Sequence, residues 1–229
     1  MLNSFIHKLK LAFGASEIRS RIFFLIGALV LFRLLASVPI PGVDRNALAA
    51  FFANNQFFGL LNIFSGGGLS GLSIVMLGVG PYITASIIMQ LGTIIFPQVK
   101  QAYFEEGEAG RAKFISWSRL LTIPIAILQG IGFLFLLQSQ GVIAPLGTVA
   151  LIANIAIVAA GSLLLMWLGE LVTEFGIGNG VSLIILAGIL ASVPTSISQT
   201  LFAATVANIP SYLGFTLLGL AMIYAVVVV

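Results

Sequence analysis

The 229 residues include one histidine, His7, and no cysteine. That inventory removes Cys-ligated and His-based metal sites, thiolate nucleophiles, disulfides and Ser-His-Asp catalysis. No catalytic residue and no cofactor is expected, and the chain does not read as an enzyme. Gly176-Ile177-Gly178-Asn179-Gly180 looks like a phosphate cradle, but it precedes an apolar span and follows no strand, so it is not a dinucleotide fingerprint. No Walker-type loop occurs either, so any ATP use belongs to a partner. What remains is a sparse set of polar groups in apolar surroundings: Thr84, Ser86 and Gln90 in one run, Gln129 in another, and Arg33 alone in a third. Such groups hydrogen-bond and pair charge. They do not break bonds.

The elements that must hold these groups follow from composition. Hydrophobic residues make up 59% of the chain and charged ones 7%, where a soluble domain carries about 25% charged residues. So few charges cannot cover a water-soluble surface, and the bilayer is the solvent that fits. A membrane-crossing helix needs about 20 mostly apolar residues. Six stretches qualify, at 22–40, 74–96, 120–137, 149–168, 181–198 and 212–229.

The net charge of +3 matters through its placement. Lys8, Lys10, Arg19 and Arg21 precede the first span, and Lys100, Arg111, Lys113 and Arg119 lie between the second and third. Only Arg45 follows the first span, and no Lys or Arg follows the third or fifth. The positive-inside rule then puts the amino terminus and the second-to-third connection in the cytoplasm. The segment carrying Glu170 and Glu174 falls on the same side. A cleaved signal peptide would share the basic start, but this apolar run is long, is interrupted by Arg33 and leads into further spans. No direct nucleic-acid site is read from the charge.

Residues 1–20 carry Leu2, Phe5, Ile6, Leu9 and Phe13 at helical spacing, with Lys8 and Lys10 between them. They read either as an amphipathic helix on the cytoplasmic leaflet or as a helical flank packed on the bundle. Both place His7 at a membrane surface. At the other end, Val226–Val229 closes the sequence inside an apolar run with no basic anchor. Spans are normally flanked by such anchors, so the sequence is expected to be part of a longer protein.

Residues 43–73 do not behave like a simple loop. Pro39 and Pro41 end the first span, and Asp44 is a plausible N-cap for a short helix over 46–52. Then comes an apolar stretch over 57–65, too short to cross, followed by Gly66-Gly67-Gly68. A re-entrant half-helix beside a water-filled cavity fits this pattern, because non-helical backbone at membrane depth must be buried in protein or face water. A surface loop resting on the membrane fits it too.

Here the residues resemble a known family. Pro39-Ile40-Pro41-Gly42-Val43-Asp44 resembles the end of the first span of the SecY family of protein-conducting channels. Asn62-Ile63-Phe64-Ser65-Gly66-Gly67 is similar to its plug segment, and 80–91 (GPYITASIIMQL) to its second span. Glu106-Gly107-Glu108-Ala109-Gly110-Arg111 resembles its first large cytoplasmic connection. Met166-Trp167-Leu168-Gly169-Glu170 and 176–185 (GIGNGVSLII) resemble its fourth and fifth spans. The matches run in family order over nearly the whole chain.

The resemblance implies an all-α membrane protein, a multi-span helical bundle with a re-entrant plug half-helix, forming the first half of an inverted-repeat channel. The segments would be a cytoplasmic amphipathic piece at 1–20, the first five-helix half at 21–199 with the plug at 57–73, and an outer loop with a sixth span at 200–229. The family passes unfolded polypeptides across the membrane and releases transmembrane segments sideways into the lipid bilayer. Implied partners are SecE, SecG, the SecA motor, the ribosome and nascent or secretory polypeptides. The implied location is a bacterial plasma membrane, multi-pass, with the amino terminus cytoplasmic.

Carried over residue by residue, the apolar pore ring falls on Val79, Ile83, Val181 and Ile185. Each pair is spaced i, i+4 and shares one helix face, and β-branched side chains are stiff at χ1. Such a ring can seal around a moving chain, or dewet when empty. Ordinary packing is the alternative for any single Val or Ile. The plug falls on Phe58, Asn62, Phe64, Ser65, Gly66, Gly67, Gly68 and Leu72, with the glycines as a hinge. Thr84, Ser86 and Gln90 would sit on the lateral gate, bonding across the seam or serving as routine interhelical links. Interhelical bonds of this kind are worth about 0.6 kcal/mol on average. Gln129 has the same two readings. Arg33 would cost roughly 2.5–3.5 kcal/mol at a helix centre, so it should face protein or a partner subunit. The charged loop with Glu106, Glu108, Arg111 and Lys113 reads as a solvated cytoplasmic connection, with docking of SecA or the ribosome as the alternative.

The rival reading is half of an inverted-repeat secondary transporter. It needs ionisable groups at the midplane, and apart from Arg33 the spans have almost none.

Overall fold

The computed structural model describes residues 16–41, 48, 68–69, 71–104, 107–203 and 209–228. Among the described residues these helices run in order: α1 Ser16–Ser37, α2 Gly80–Ile95, α3 Pro97–Phe104, α4 Gly107–Ser139, α5 Thr148–Phe175, α6 Gly180–Ala203 and α7 Ile209–Val228. An isolated antiparallel bridge joins Pro39 and Ser73. Among the described helices α1, α4 and α5 are long and apolar enough to cross a membrane, and shorter apolar helices lie at Gly80–Ile95, Gly180–Ala191 and Gly214–Val228. The chain is a multi-pass, all-α membrane protein. It divides into two compact units, Met1–Ala191 and Ser192–Val229, the second holding the end of α6 and all of α7.

The second span departs from expectation. Its first residues are not helical: 74–79 form successive tight turns, with Met76 N–H donating to Ser73 O at 2.9 Å and Gly78 N–H to Val75 O at 2.8 Å. Pro81 gives the reason. It has no N–H to offer Leu77 O, and it is tolerated only in the first turn of a helix, so α2 starts at Gly80 with Val79 as N-cap. The remaining 16 residues span about 24 Å, short of the ~30 Å hydrocarbon core. The turns complete the depth. Irregular backbone at that depth must be covered, and it is: Leu72, Ser73, Val75, Met76, Gly78 and Val79 are all buried.

Long-range contacts hold this segment. Ile40 N–H donates to Leu72 O at 2.8 Å and Ile74 N–H to Val38 O at 2.9 Å, tying the end of α1 to the lead-in of α2. On the other side α5 comes so close that a Cβ on Gly161 would collide with the Ile74 carbonyl oxygen. The segment also joins two apolar clusters. Leu72 and Met76 pack with Leu134, Leu137 and Val158. Val75 and Val79 pack with Ala28, Phe32, Leu165, Leu168 and Ile184.

Helix α4 differs from expectation in its length. It has 33 residues, about 50 Å, and so outruns the hydrocarbon core. Glu108, Arg111 and Lys113, expected in a loop, lie on its first turns. Glu108 in the first turn suits the positive end of the helix dipole, and Ala, Arg and Lys are strong helix formers. Its buried residues include Gly110, Phe114, Ser118, Thr122, Ala126, Gly130 and Leu134, one every fourth position. Small side chains at that spacing let helices approach closely in lipid, where burial of apolar surface gives little drive. A four-residue repeat also drifts around a 3.6-residue helix, so the buried stripe winds and α4 touches α2, α3 and α5.

Candidate functional site

Two cavities meet at the start of α2. The first, of about 550 Å³, is the more polar: Tyr82, Ser86 and Gln90 of α2, Arg119 of α4, Glu170, Thr173 and Glu174 of α5, and Asn179 and Ser182 at the start of α6 reach it, beside several isoleucines and Val181. The second, of about 400 Å³, is almost wholly apolar, lined by Leu69, Met76, Leu77, Val79 and Phe133, with Gln129 as its polar group. Ile83 and Ile185 line both. Along α4 the lining shifts from Arg119 to Gln129 and Phe133, a rise on the order of 20 Å.

All four residues expected in an apolar ring meet in one place. Val79 is a buried member of a single hydrophobic cluster, and Ile83, Val181 and Ile185 pack half-buried against it. Val79 and Ile83 keep the i, i+4 relation although Val79 is only the cap, because Ile83 N–H donates to Val79 O at 3.1 Å. Val181 borders the polar cavity and Val79 the apolar one, with the two isoleucines between.

One wall of the polar cavity is braced by charge. Arg119 Nε donates to Glu170 Oε1 at 2.7 Å, joining α4 to α5, and the Glu170 side chain is 17% exposed. Sequence reading missed this pair, because 51 residues separate its members and no local spacing signals it. On the same end of the bundle, Arg21 Nη1 donates to Gly176 O at 3.3 Å, capping α5 from α1, and Phe24 meets Phe175 edge-on. The cap uses an orphan carbonyl at a helix C-terminus, where a cation is favoured.

The gate residues divide. The Thr84 hydroxyl donates to Gly80 O at 3.0 Å within its own helix. Ser86 and Gln90 face the polar cavity, and Gln129 the apolar one. Of the plug residues, Phe58, Asn62, Phe64, Ser65, Gly66 and Gly67 lie outside the described residues, as do Glu106 and the expected short helix over 46–52 apart from Leu48. Gly68 and Leu72 are described and buried. Leu72 has φ +39°, a left-handed conformation that a bulky residue rarely adopts. Ser73 N–H donates to Gly68 O at 2.9 Å, so this stem is closed on itself and tied to α1. Arg33 lies on an exposed side of α1.

The SecY family model matches residues 73–229. The chain is 42% identical over 218 residues to the protein translocase subunit SecY of Pseudomonas aeruginosa, covering 93% of this chain and 49% of that protein. It is 41% identical over 194 residues to SecY of Escherichia coli strain K12, covering 82% and 44%. The chain thus spans about half the length of the curated relatives it matches. Among solved structures, a protein conducting channel and Sec61 in the canine ribosome-channel complex from the endoplasmic reticulum each superpose with a TM-score of 0.64 at 20% identity, over 92% of this chain and 48% of theirs. At that identity the likeness speaks for the fold.

Proposed function

Because this chain belongs to the SecY family, we propose that it supplies the first half of the central channel subunit of a Sec translocase, which passes unfolded polypeptides across the membrane and releases transmembrane segments sideways into lipid. The observation that carries the reading is the meeting of Val79, Ile83, Val181 and Ile185 between a polar and an apolar cavity. The polar cavity receives a hydrated chain. Four stiff apolar side chains then offer no hydrogen bond or charge to hold it. At rest the same constriction dewets and blocks ions.

The second half of the channel completes the ring and faces Ser86 and Gln90 across the lateral gate. The plug closes the apolar side. Backbone bonds join Gly68 to Ser73 and Leu72 to Ile40 where the plug would meet the rest of the bundle. The bacterial relatives support a bacterial plasma membrane, and the basic residues of 8–21 support a cytoplasmic amino terminus. SecE bracing the back, SecG alongside, and SecA or the ribosome docking on the cytoplasmic face complete the proposed assembly. Arg111 and Lys113, on the part of α4 that outruns the hydrocarbon core, reach toward that face.

The test reconstitutes the full-length protein with its partner subunits in vesicles and compares two cargoes. A secretory precursor should become protease-protected inside, with no saturable uptake of small solutes. Saturable, ion-coupled solute uptake without precursor protection would instead establish the transporter reading.

A further inference from the structure

Helix α6 carries half of the ring, and its first turn is held in an unusual way. A helix N-terminus leaves four N–H donors without intrahelical partners. Asn179 satisfies one locally, its Oδ1 accepting from Ser182 N–H at 3.0 Å, as a good N-cap does. The first helical residue is satisfied from another helix. Gly180 N–H donates to Thr173 Oγ1 at 2.8 Å, and the same hydroxyl donates to Gly169 O at 2.9 Å. One hydroxyl thus relays between the start of α6 and the backbone of α5. The approach is close enough that a Cβ on Gly180 would collide with the Gly169 carbonyl oxygen and lie 2.8 Å from Val172 Cβ. Val181 follows at once, and Ile185 one turn later.

The α5 end of this relay is itself braced. Glu170, next to Gly169, pairs with Arg119 of α4. Three residues beyond Thr173, Gly176 O accepts from Arg21 of α1. Among the described residues the start of α2 has no side-chain cap, and the Thr84 hydroxyl turns back onto Gly80 O in its own helix.

We propose that Thr173 is a positioning residue of the channel: its hydroxyl sets where α6 starts against α5, and thereby sets how closely Val181 and Ile185 approach Val79 and Ile83. Thr173 does not belong to the ring, and it acts only through Gly180. The inference rests on the ring reading given above, and the experiment separates the two.

Thr173→Val keeps the shape and removes the hydroxyl, and Thr173→Ser keeps the hydroxyl. Resting ion conductance of the full-length channel is measured in planar bilayers, per assembled complex, beside Ile185→Asn. T173V should raise the resting conductance about threefold, below the roughly tenfold rise expected for I185N, since the seal is shifted and not breached. T173S should restore the wild-type value, which a requirement for bulk alone would not give. If I185N leaks while T173V matches wild type, the Thr173 inference is overturned and the ring stands. If I185N also matches wild type, the ring reading falls and this inference with it. Should T173V not accumulate, Thr173→Cys, close to serine in size with a weaker acceptor, is measured instead. A raised conductance supports the relay, and a wild-type value overturns it.

Discussion

The two cavities share Ile83 and Ile185 and are built in opposite ways. Side chains that bond across helices hold the polar one: Arg119 to Glu170 and Thr173 to Gly180. Backbone packing holds the apolar one: the stretch 72–79 sits against α5 at Gly161 and hydrogen-bonds to Val38 and Ile40 through Ile74 and Leu72. The physical reason is solvent. A cavity open to water tolerates charged walls, whereas an apolar cavity in the membrane has irregular backbone to satisfy and only protein to satisfy it with. The contrast suggests where each half of the proposed ring would take its position. On the proposals above, backbone packing sets the α2 half and a few polar side chains set the α6 half.

The largest expected effect breaks the packed side. Gly161→Ala already puts a Cβ into the Ile74 carbonyl. Two backbones cannot move apart as a side-chain tip can, so the loss should be about 1–3 kcal/mol, and larger for Gly161→Val. The amount of protease-resistant folded protein in membranes is the readout. Wild-type amounts of G161V would show that the turns are not held by α5.

Next comes the shared boundary. Ile83→Asn places a hydrogen-bonding amide where the constriction should dewet. Resting conductance of the full-length channel should rise roughly tenfold, equivalent to about 1.4 kcal/mol off the barrier. An unchanged resting conductance would remove Ile83 from the ring.

The smallest effect sharpens the polar side. Arg119→Gln removes one member of a pair whose arginine is 49% exposed, so the loss should be about 1 kcal/mol or less. It should shrink further near 1 M salt, where the screening length is about 3 Å. Thermal unfolding midpoints in detergent at low and high salt give the measurement. A large, salt-independent loss would mean that the pair bears the wall by packing and not by charge.

The sequence reading captured what apolar runs and local spacing encode. The six apolar stretches foretold the main helices, and i, i+4 spacing placed Val181 and Ile185 together. It was misled where hydropathy ignores backbone. The run 74–96 reads as one span, yet Gly78-Val79-Gly80-Pro81 is the kind of glycine and proline cluster that marks a break. The turns that lead into it pack against Gly161, more than 80 positions away. Charge at 107–113 signals solvation and so suggests a loop, yet Glu, Ala, Arg and Lys also favour helix, and α4 starts at Gly107. The Arg119–Glu170 pair and the Thr173 relay depend on α4, α5 and α6 being neighbours, which no spacing within one segment can state.

In the proposed channel, α2 and α6 bring one apolar ring onto the path of a moving polypeptide. Single cysteines at Ile83 and Ile185, in the full-length channel holding an arrested precursor, test it by crosslinking to cysteines walked along that precursor. Both positions should crosslink within the same short window of the precursor, and neither should react with a lipid-dissolved maleimide. Crosslinking to lipid-phase reagent at both positions, with none to the precursor at any register, would contradict the account.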